Sequence, residues 1–230
     1  MPNTLYVVGT PIGNLSDLSP RAAETLSAVD FIAAEDTRVT VKLLNHLGIK
    51  TPMISFHKHN TRERIEQILS RLTEGEDGAI VSDAGMPCIS DPGEELVRAC
   101  HQRGVRVVAI PGPNAAVTAL AVSGLPTGRF CFEGFLSTAR KSRMEHLHAL
   151  KTEERTMVFY EAPHKLLNTL QDLLDVLGDR TVAMVRELTK IHEEILRSPL
   201  SEAVERLQSA PLKGELVLVV EGARPPEPKP

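Results

Sequence analysis

The chain has 230 residues and a formal net charge of −4, and 42% of its residues are hydrophobic while only 3% are aromatic. This length and composition predict a core of Leu, Val, Ile and Ala in α/β layers rather than an antiparallel sandwich. The acidic balance argues against a protein that coats nucleic acid through bulk charge, although it leaves room for a local basic patch. The three cysteines lack C-x-x-C spacing, and the sequence has neither a long apolar run nor a basic leader. These features predict a cytoplasmic protein that is neither secreted nor membrane-anchored.

Short apolar runs in the first half of the chain predict buried strands of a mostly parallel sheet. They lie at residues 5–8, 31–34, 79–81 and 105–110. Helix signals follow them, because Ser19-Pro20, Asp91-Pro92 and Asn114 are typical of helix starts. Gly48 and Gly104 stand where two of these helices are expected to end.

A second region follows the turn-rich stretch at residues 123–128. Strands are predicted at residues 156–160, 181–185, 191–196 and 216–220, and helices at 163–177 and 200–209. We therefore expect an N-terminal α/β domain over residues 1–122 and a C-terminal α/β domain over residues 123–222. The proline-rich tail at residues 223–230 is expected to be disordered.

Four loops of unusual composition each follow a predicted strand of the first region. They are GTPIGN at 9–14, AEDTR at 34–38, SDAGMP at 82–87 and PGPNAA at 111–116. In an open α/β sheet the ligand crevice lies beyond the carboxyl ends of the strands, so these loops are expected to line one crevice. The first loop has the spacing of neither a dinucleotide fingerprint nor a P-loop, and a tight strand-to-helix connection is an equal alternative for this loop taken alone.

Charged side chains in and near these loops indicate polar contacts rather than a metal site. Asp36 and Arg38 are expected to form a structural or substrate-positioning pair, because no D-x-D-x-D-G series supplies further oxygen ligands. His57 and His59 lack the additional ligands of a zinc site, so they are expected to face solvent or RNA. The run STARKSR at 137–143 is either a solvated helix start or a grip on phosphates.

Eight segments taken together resemble the signature runs of a known family. They are TPIGNLSDLS, AEDTR, VSDAGMPCISDPG, IPGPNAAVTAL, SGLP, FYEAPH, RELTKIHEE and KGELVLVVEG, which extend from Leu5 to Gly222. In this order they resemble the bacterial small-subunit (16S) ribosomal RNA cytidine 2′-O-ribose methyltransferases, a branch of the tetrapyrrole methylase superfamily. Met86 stands where that family is expected to have threonine, and Glu94 stands where tyrosine is usual.

The resemblance implies a tetrapyrrole-methylase-like fold of two α/β domains with mostly parallel or mixed sheets. It also implies S-adenosylmethionine bound in the interdomain cleft without a metal, a homodimer, and ribosomal RNA or the small ribosomal subunit as the partner. The expected cofactor contacts are Pro11, Ile12, Ser82, Asp83, Gly85, Met86, Ala115, Ala116 and Tyr160. The expected RNA contacts are Arg38, His57, His59, Arg140, Lys141 and Arg143. Relatives often continue past this C-terminus, so a short C-terminal element is expected to be missing.

Methyl transfer to a ribose hydroxyl needs in-line positioning and profits from a general base. Glu161, Glu187 and Lys190 are the candidates, and Lys190 qualifies only if burial or Arg186 lowers its pKa. Surface ion pairs are the plain alternative for these strand-end charges. Two other functions stay open, which are methylation of a tetrapyrrole-type small molecule and a non-catalytic role as an RNA-binding assembly factor.

Overall fold

The computed structural model describes residues 3–57, 61–210 and 212–223, and the chain divides into two compact units between Asn114 and Ala115. The first unit alternates strands with helices. Its strands are β1 Thr4–Val8, β2 Phe31–Ala34, β3 Met53–Ser55, β4 Gly78–Val81 and β5 Arg106–Ile110. Its helices are α1 Pro20–Ala28, α2 Thr37–Leu47, α3 Thr61–Glu74 and α4 Glu94–Gln102, with a 3₁₀ turn at Leu15–Asp17.

The five strands of the first unit form one parallel sheet in the order β3-β2-β4-β1-β5. Both faces of the sheet are buried, since Leu5 and Phe31 belong to one apolar cluster while Val8 and Ile32 belong to another. Strands that are covered by helices on both sides read as continuous apolar runs, which is why the sequence revealed them. The predicted parallel α/β sheet is confirmed.

In the first unit, one predicted helix start and one predicted helix end are confirmed, and another predicted start is wrong. Ser19 is the N-cap of α1, where its side chain accepts a hydrogen bond from the Ala22 N–H at 3.1 Å, and Gly48 ends α2 in the left-handed conformation. The predicted start at Asp91-Pro92 is wrong, because α4 begins at Glu94 behind Gly93. Gly93 has a φ of 139°, and a Cβ there would lie 2.5 Å from Cys88 Sγ. The chain therefore turns tightly at Gly93 before the helix begins.

The second unit begins with a helix and contains a mixed sheet. Its strands are β6 Phe130–Phe135, β7 Thr156–Glu161, β8 Thr181–Arg186, β9 Glu194–Pro199 and β10 Leu216–Val220, and its helices are α5 Ala115–Val122, α6 Arg140–Ala149, α7 Leu166–Leu177 and α8 Leu200–Ser209. The strand order is β6-β7-β10-β8-β9. Only β6 and β7 pair in parallel, while the other three pairs are antiparallel.

The observed strands depart from the sequence prediction in two ways. Strand β3 of the first unit and strand β6 of the second were not predicted, because β3 has three residues and β6 carries a glutamate and a glycine at a bulge. Strand β9 starts three residues later than predicted, at Glu194. The division between the two compact units precedes α5, which packs against β7 and β10 of the second unit, and the domain boundary after residue 122 stays a prediction. Within the described ranges no helix is both long enough and apolar enough to span a membrane.

Candidate functional site

The carboxyl edge of the first unit's sheet carries the four loops singled out by composition. They follow β1, β2, β4 and β5, and β4, β1 and β5 are neighbours in the sheet. Because all five strands are parallel, the loops that leave their carboxyl ends emerge at one edge. Hydrogen bonds and backbone contacts then join these loops into one surface.

A short antiparallel bridge joins the loops after β1 and β4. The Thr10 N–H donates to the Gly85 carbonyl at 2.9 Å, and the Gly85 N–H donates to the Thr10 carbonyl at 3.1 Å. The buried Thr10 hydroxyl lies 3.3 Å from the Ser82 carbonyl oxygen and 3.4 Å from that of Gly85. Gly85 holds a φ of 83°, where a side chain is disfavoured. The loop SDAGMP is therefore fixed against GTPIGN through backbone groups.

The loops after β1 and β5 meet at two glycines. A Cβ at Gly9 would lie 2.7 Å from Gly112 Cα, and a Cβ at Gly112 would lie 2.8 Å from Gly9 Cα. Real Cβ atoms do not approach other atoms this closely, so the contact requires glycine at both positions. The Met86 sulfur also lies against Gly9, at 2.7 Å from such a Cβ. Glycine at both positions therefore lets the two loops lie in direct backbone contact, which a larger residue at either position would prevent.

Carboxylates join the loop after β2 to the loop after β4. The Asp36 N–H donates to Asp83 Oδ1 at 3.1 Å, and the Asp83 N–H donates to Glu35 Oε2 at 3.4 Å. Partial burial of its carboxyl group raises the pKa of Asp83, and the hydrogen bond from Asp36 opposes that rise. No group of three or more histidine, cysteine or carboxylate side chains within the described residues is arranged to hold a metal ion.

Asp36 and Arg38 form the expected pair. Asp36 caps α2 by accepting from the Arg38 N–H at 2.8 Å, and its second oxygen accepts from Arg38 Nη2 at 2.6 Å. These hydrogen bonds lower the pKa of Asp36 to about 2, and Asp36 raises the pKa of Arg38 in return. The Arg38 side chain is exposed, so its remaining N–H groups face solvent. The pair itself is therefore confirmed, and a role in positioning the substrate stays a prediction.

The predicted cofactor residues lie in both units. The first unit holds Pro11, Ile12, Ser82, Asp83, Gly85 and Met86, of which Ile12, Ser82 and Gly85 are buried, Pro11 and Met86 are half-buried, and Asp83 is exposed. The second unit holds Ala115 and Ala116 in the first turn of α5 and Tyr160 near the end of β7. Loop geometry thus connects the predicted residues of the first unit, while those of the second unit belong to a separate body.

Glu161 is a buried carboxylate with two internal partners. Its Oε1 accepts from the Ala162 N–H at 2.7 Å, and its Oε2 accepts from the Thr169 hydroxyl at 2.5 Å. Thr169 lies on the buried face of α7, so the carboxylate connects the end of β7 to that helix. Both of its oxygens therefore have a structural partner.

Glu187 and Lys190 form an ion pair at the end of β8. Lys190 Nζ donates to Glu187 Oε1 at 3.0 Å and to Glu215 Oε2 at 3.1 Å. The Glu215 N–H and the Lys190 ammonium lower the pKa of Glu187. Burial lowers the pKa of Lys190, but the hydrogen bonds that its ammonium donates to Glu187 and Glu215 outweigh this effect, and the net shift of the pKa is upward. The condition under which Lys190 serves as a base, a lowered pKa, is not met.

The basic run at the start of α6 contains one buried cation and two exposed ones. Arg143 Nε donates to Asp172 Oδ2 at 2.8 Å, and its Nη1 donates to the carbonyls of Ser137 and Thr138 at 3.1 and 3.4 Å. Arg143 is thus occupied inside the unit. Arg140 and Lys141 are exposed, although Arg140 Nη2 also donates to Asp172 Oδ1 at 3.2 Å. Any contact of this run with phosphate is therefore left to Arg140 and Lys141.

Asp172 was missed by sequence reasoning, although the sequence holds a signal for it. Thr169 and Asp172 fall among leucines on the buried face of α7, where polar residues need hydrogen-bonding partners.

Of the two predicted histidines, His57 is half-buried just after β3, and His59 lies outside the described residues. Residues 224–230 of the predicted tail also lie outside them.

Comparison with known proteins gives consistent matches over nearly the whole chain. The family described as tetrapyrrole (corrin/porphyrin) methylases matches residues 4–204. The ribosomal RNA small subunit methyltransferase I of Synechocystis sp. is 53% identical over 222 residues, which cover 96% of this chain and 80% of the relative. The protein of the same name from Thermotoga maritima is 50% identical over 218 residues, which cover 95% of this chain and 98% of the relative. A solved cobalt precorrin-4 methyltransferase of cobalamin biosynthesis has a TM-score of 0.68 at 16% identity, covering 95% of this chain and 94% of that one.

Proposed function

Because the chain belongs to the tetrapyrrole (corrin/porphyrin) methylase family, we propose that it transfers a methyl group from S-adenosylmethionine to small-subunit ribosomal RNA. Relatives that are half identical over nearly the whole chain carry the name of a ribosomal RNA small subunit methyltransferase. The observation that carries the proposal is the joined set of glycine-containing loops at the carboxyl edge of the first unit's sheet. A homodimer and the ribose 2′-hydroxyl of a cytidine as the acceptor are further parts of the proposal, taken from the sequence resemblance.

The first unit's loops suit a nucleoside-based methyl donor. Gly9, Gly85 and Gly112 let the loops lie against one another, because a Cβ at each of these positions would meet atoms of a neighbouring loop. Asp83 is exposed, so its carboxylate is available to hydroxyl or amino groups in addition to the Asp36 N–H that it already binds. Hydrogen bonds among the loops fix these groups in advance, which lowers the entropic cost of binding. The donor, when bound, supplies an electrophilic methyl group on a sulfonium.

The protein's main contribution to the reaction is positioning, because an in-line displacement requires the acceptor oxygen to be held close to the methyl carbon. A ribose hydroxyl also loses its proton during transfer, and Glu161 and Glu187 remain the proposed acceptors of that proton. We propose Lys190 as the counter-ion of Glu187 rather than as a base, since its pKa is raised. Arg140 and Lys141 at the start of α6 then contribute to binding of the RNA phosphates.

Transfer of a radiolabelled methyl group from the donor distinguishes the proposed function from the two alternative functions. Small ribosomal subunits that lack the modification should accept label in the presence of the protein, while subunits with a 2′-deoxy nucleotide at the labelled position should bind but accept none. Transfer to a tetrapyrrole and not to the subunit would establish the small-molecule reading. RNA binding without any transfer would establish the assembly factor.

The donor site is tested separately by calorimetry. Gly85→Val places a β-branched side chain at a φ of 83°, and a Cβ there already lies 3.2 Å from Ile12 Cγ2. Binding of S-adenosylmethionine should be lost in this variant and in Asp83→Ala, while the circular dichroism spectrum stays that of the wild type. Gly48→Ala is the matched control, because it also has positive φ but a Cβ there meets no atom within 4 Å. Unchanged affinity in both loop variants would contradict the proposed donor site.

A further inference from the structure

Phe135 is an exposed aromatic residue at the end of the edge strand β6. Its side chain is 61% exposed, and its ring packs against that of Tyr160 with centroids 5.4 Å apart and planes at 60°. Phe132 contacts the same tyrosine ring with centroids 5.0 Å apart. A single exposed apolar side chain is common on protein surfaces, but an exposed ring that packs on Tyr160, which in turn contacts Phe132, belongs to a platform of three aromatic rings.

A β-bulge places Phe135 on this platform. The register of β6 against β7 shifts between Phe132 and Gly134, so that Phe135 lies opposite Tyr160. In a regular strand Phe132 and Phe135 would point to opposite faces, because side chains alternate with a period of two. The extra residue, Glu133, is bonded to His146 Nε2 at 2.9 Å. The bulge thus brings both phenylalanines to the face of Tyr160.

A rigid connection links Phe135 to the exposed cations of α6. It consists of residues 136–139, in which Leu136 is buried and the carbonyls of Ser137 and Thr138 accept hydrogen bonds from Arg143. Arg143 is itself fixed by Asp172. Arg140 and Lys141 begin the helix directly after this connection, and the Arg140 side chain is 69% exposed. The aromatic ring and the two cations are therefore held at the two ends of one short, fixed segment.

We propose that Phe135 stacks an unpaired base of the RNA substrate, while Arg140 and Lys141 hold the phosphates beside that base. This inference rests on the proposed function and adds a binding element to it. Proteins recognise unpaired RNA by stacking its bases on aromatic rings and by pairing its phosphates with Arg and Lys, so the chemistry of this segment matches that ligand. The adjacent cations favour RNA over a second copy of the chain, because charged residues are depleted at the core of protein interfaces.

Binding of short RNAs tests the stack. The probes are a fluorescent oligocytidylate and the same ribose–phosphate chain with its central bases removed. Phe135→Ala should weaken binding of the oligocytidylate about 5- to 150-fold, which is the range for loss of one base–aromatic stack. Phe135→Tyr should retain wild-type binding. The abasic chain should bind wild type and Phe135→Ala equally, because it has no base to stack.

A matched control lies on the same strand. Phe130 is 39% exposed at the opposite end of β6, so Phe130→Ala removes an exposed ring of equal size away from the cations and should leave RNA binding unchanged. Equal affinity of Phe135→Ala and wild type for the oligocytidylate would overturn the inference. So would equal weakening on the base-containing and abasic probes. A change of oligomeric state in sedimentation with RNA affinity unaltered would assign the ring to contact between copies of the chain.

Methyl transfer to small subunits separates failure of this inference from failure of the proposed function. If Phe135→Ala binds and methylates like wild type, the stack is refuted and the function stands. If wild-type protein shows base-dependent binding through Phe135 but transfers no methyl group, the function is refuted and the stack stands.

Discussion

Asp172→Asn should destabilise the second unit strongly, because it breaks a buried ion pair from one side. The Asp172 side chain is 5% exposed and that of Arg143 is 11% exposed, with Nη2 of Arg143 at 2.7 Å from Oδ2 of Asp172. Losing one partner leaves the other charge buried without its counter-ion, which costs about 3–5 kcal/mol. Asparagine keeps one oxygen that accepts a hydrogen bond, so we expect a loss near the lower end, about 3 kcal/mol.

The contact of Asp172 with Arg140 adds little to this figure. Arg140 Nη2 lies 3.2 Å from Asp172 Oδ1, but its side chain is mostly exposed, and pairs of that kind contribute at most about 1 kcal/mol. Urea unfolding followed by circular dichroism measures the free energy directly. Asp175→Asn is the matched control, since Asp175 lies exposed on the same helix with Gln171 as its partner, and it should change stability by less than about 0.5 kcal/mol.

A double variant checks the physical reasoning. Arg143→Met combined with Asp172→Leu replaces the pair by apolar side chains, which is often neutral because both desolvation penalties disappear. The double variant should therefore be more stable than Asp172→Asn alone. If Asp172→Asn matches the Asp175→Asn control, the pair does not carry the stability assigned to it. A double variant that is worse than the single one would show that the hydrogen bonds to the 137–138 carbonyls dominate instead.

Three further predictions concern charge and catalysis. Asp36→Asn keeps a capping side chain but removes a carboxylate whose pKa is lowered to about 2, so its stabilising charge is present above about pH 4 and is lost as the pH falls through about 2. The urea midpoints of wild type and Asp36→Asn should converge over that range, and a difference that persists at the acid end would contradict the pair. Replacing Arg140 and Lys141 by alanine should lower the slope of log affinity against log salt by about one unit per lost phosphate contact, whereas an unaltered slope would make them solvated residues. Loss of a true base through Glu161→Gln or Glu187→Gln should reduce the methylation rate about 100- to 10,000-fold with donor affinity unchanged, and full activity in both variants would leave the proton to water or an RNA phosphate.

The sequence by itself determined the parallel sheet of the first unit and the loops at its carboxyl edge. Strands buried on both faces read as uninterrupted apolar runs, and parallel strand direction then places the following loops together. Local signals such as the Ser19 cap and the Gly48 stop were equally readable, because each depends on residues a few positions apart. Eight motifs in the right order also identify the family from the sequence alone.

Tertiary structure alone decided which charged residues are available for chemistry. Arg143 looks like its neighbours Arg140 and Lys141 in the sequence, yet it is buried because Asp172, 29 residues away, lies against it in the fold. Lys190 has its pKa raised by Glu187, three residues away, and also by Glu215, which the fold brings to it from 25 residues away. Strand β6 escaped prediction because its bulge interrupts the alternation that a strand normally shows, and pairing with β7 is what keeps it extended. Whether a charge is buried or paired depends on partners that are distant in sequence, so composition and local spacing do not predict it.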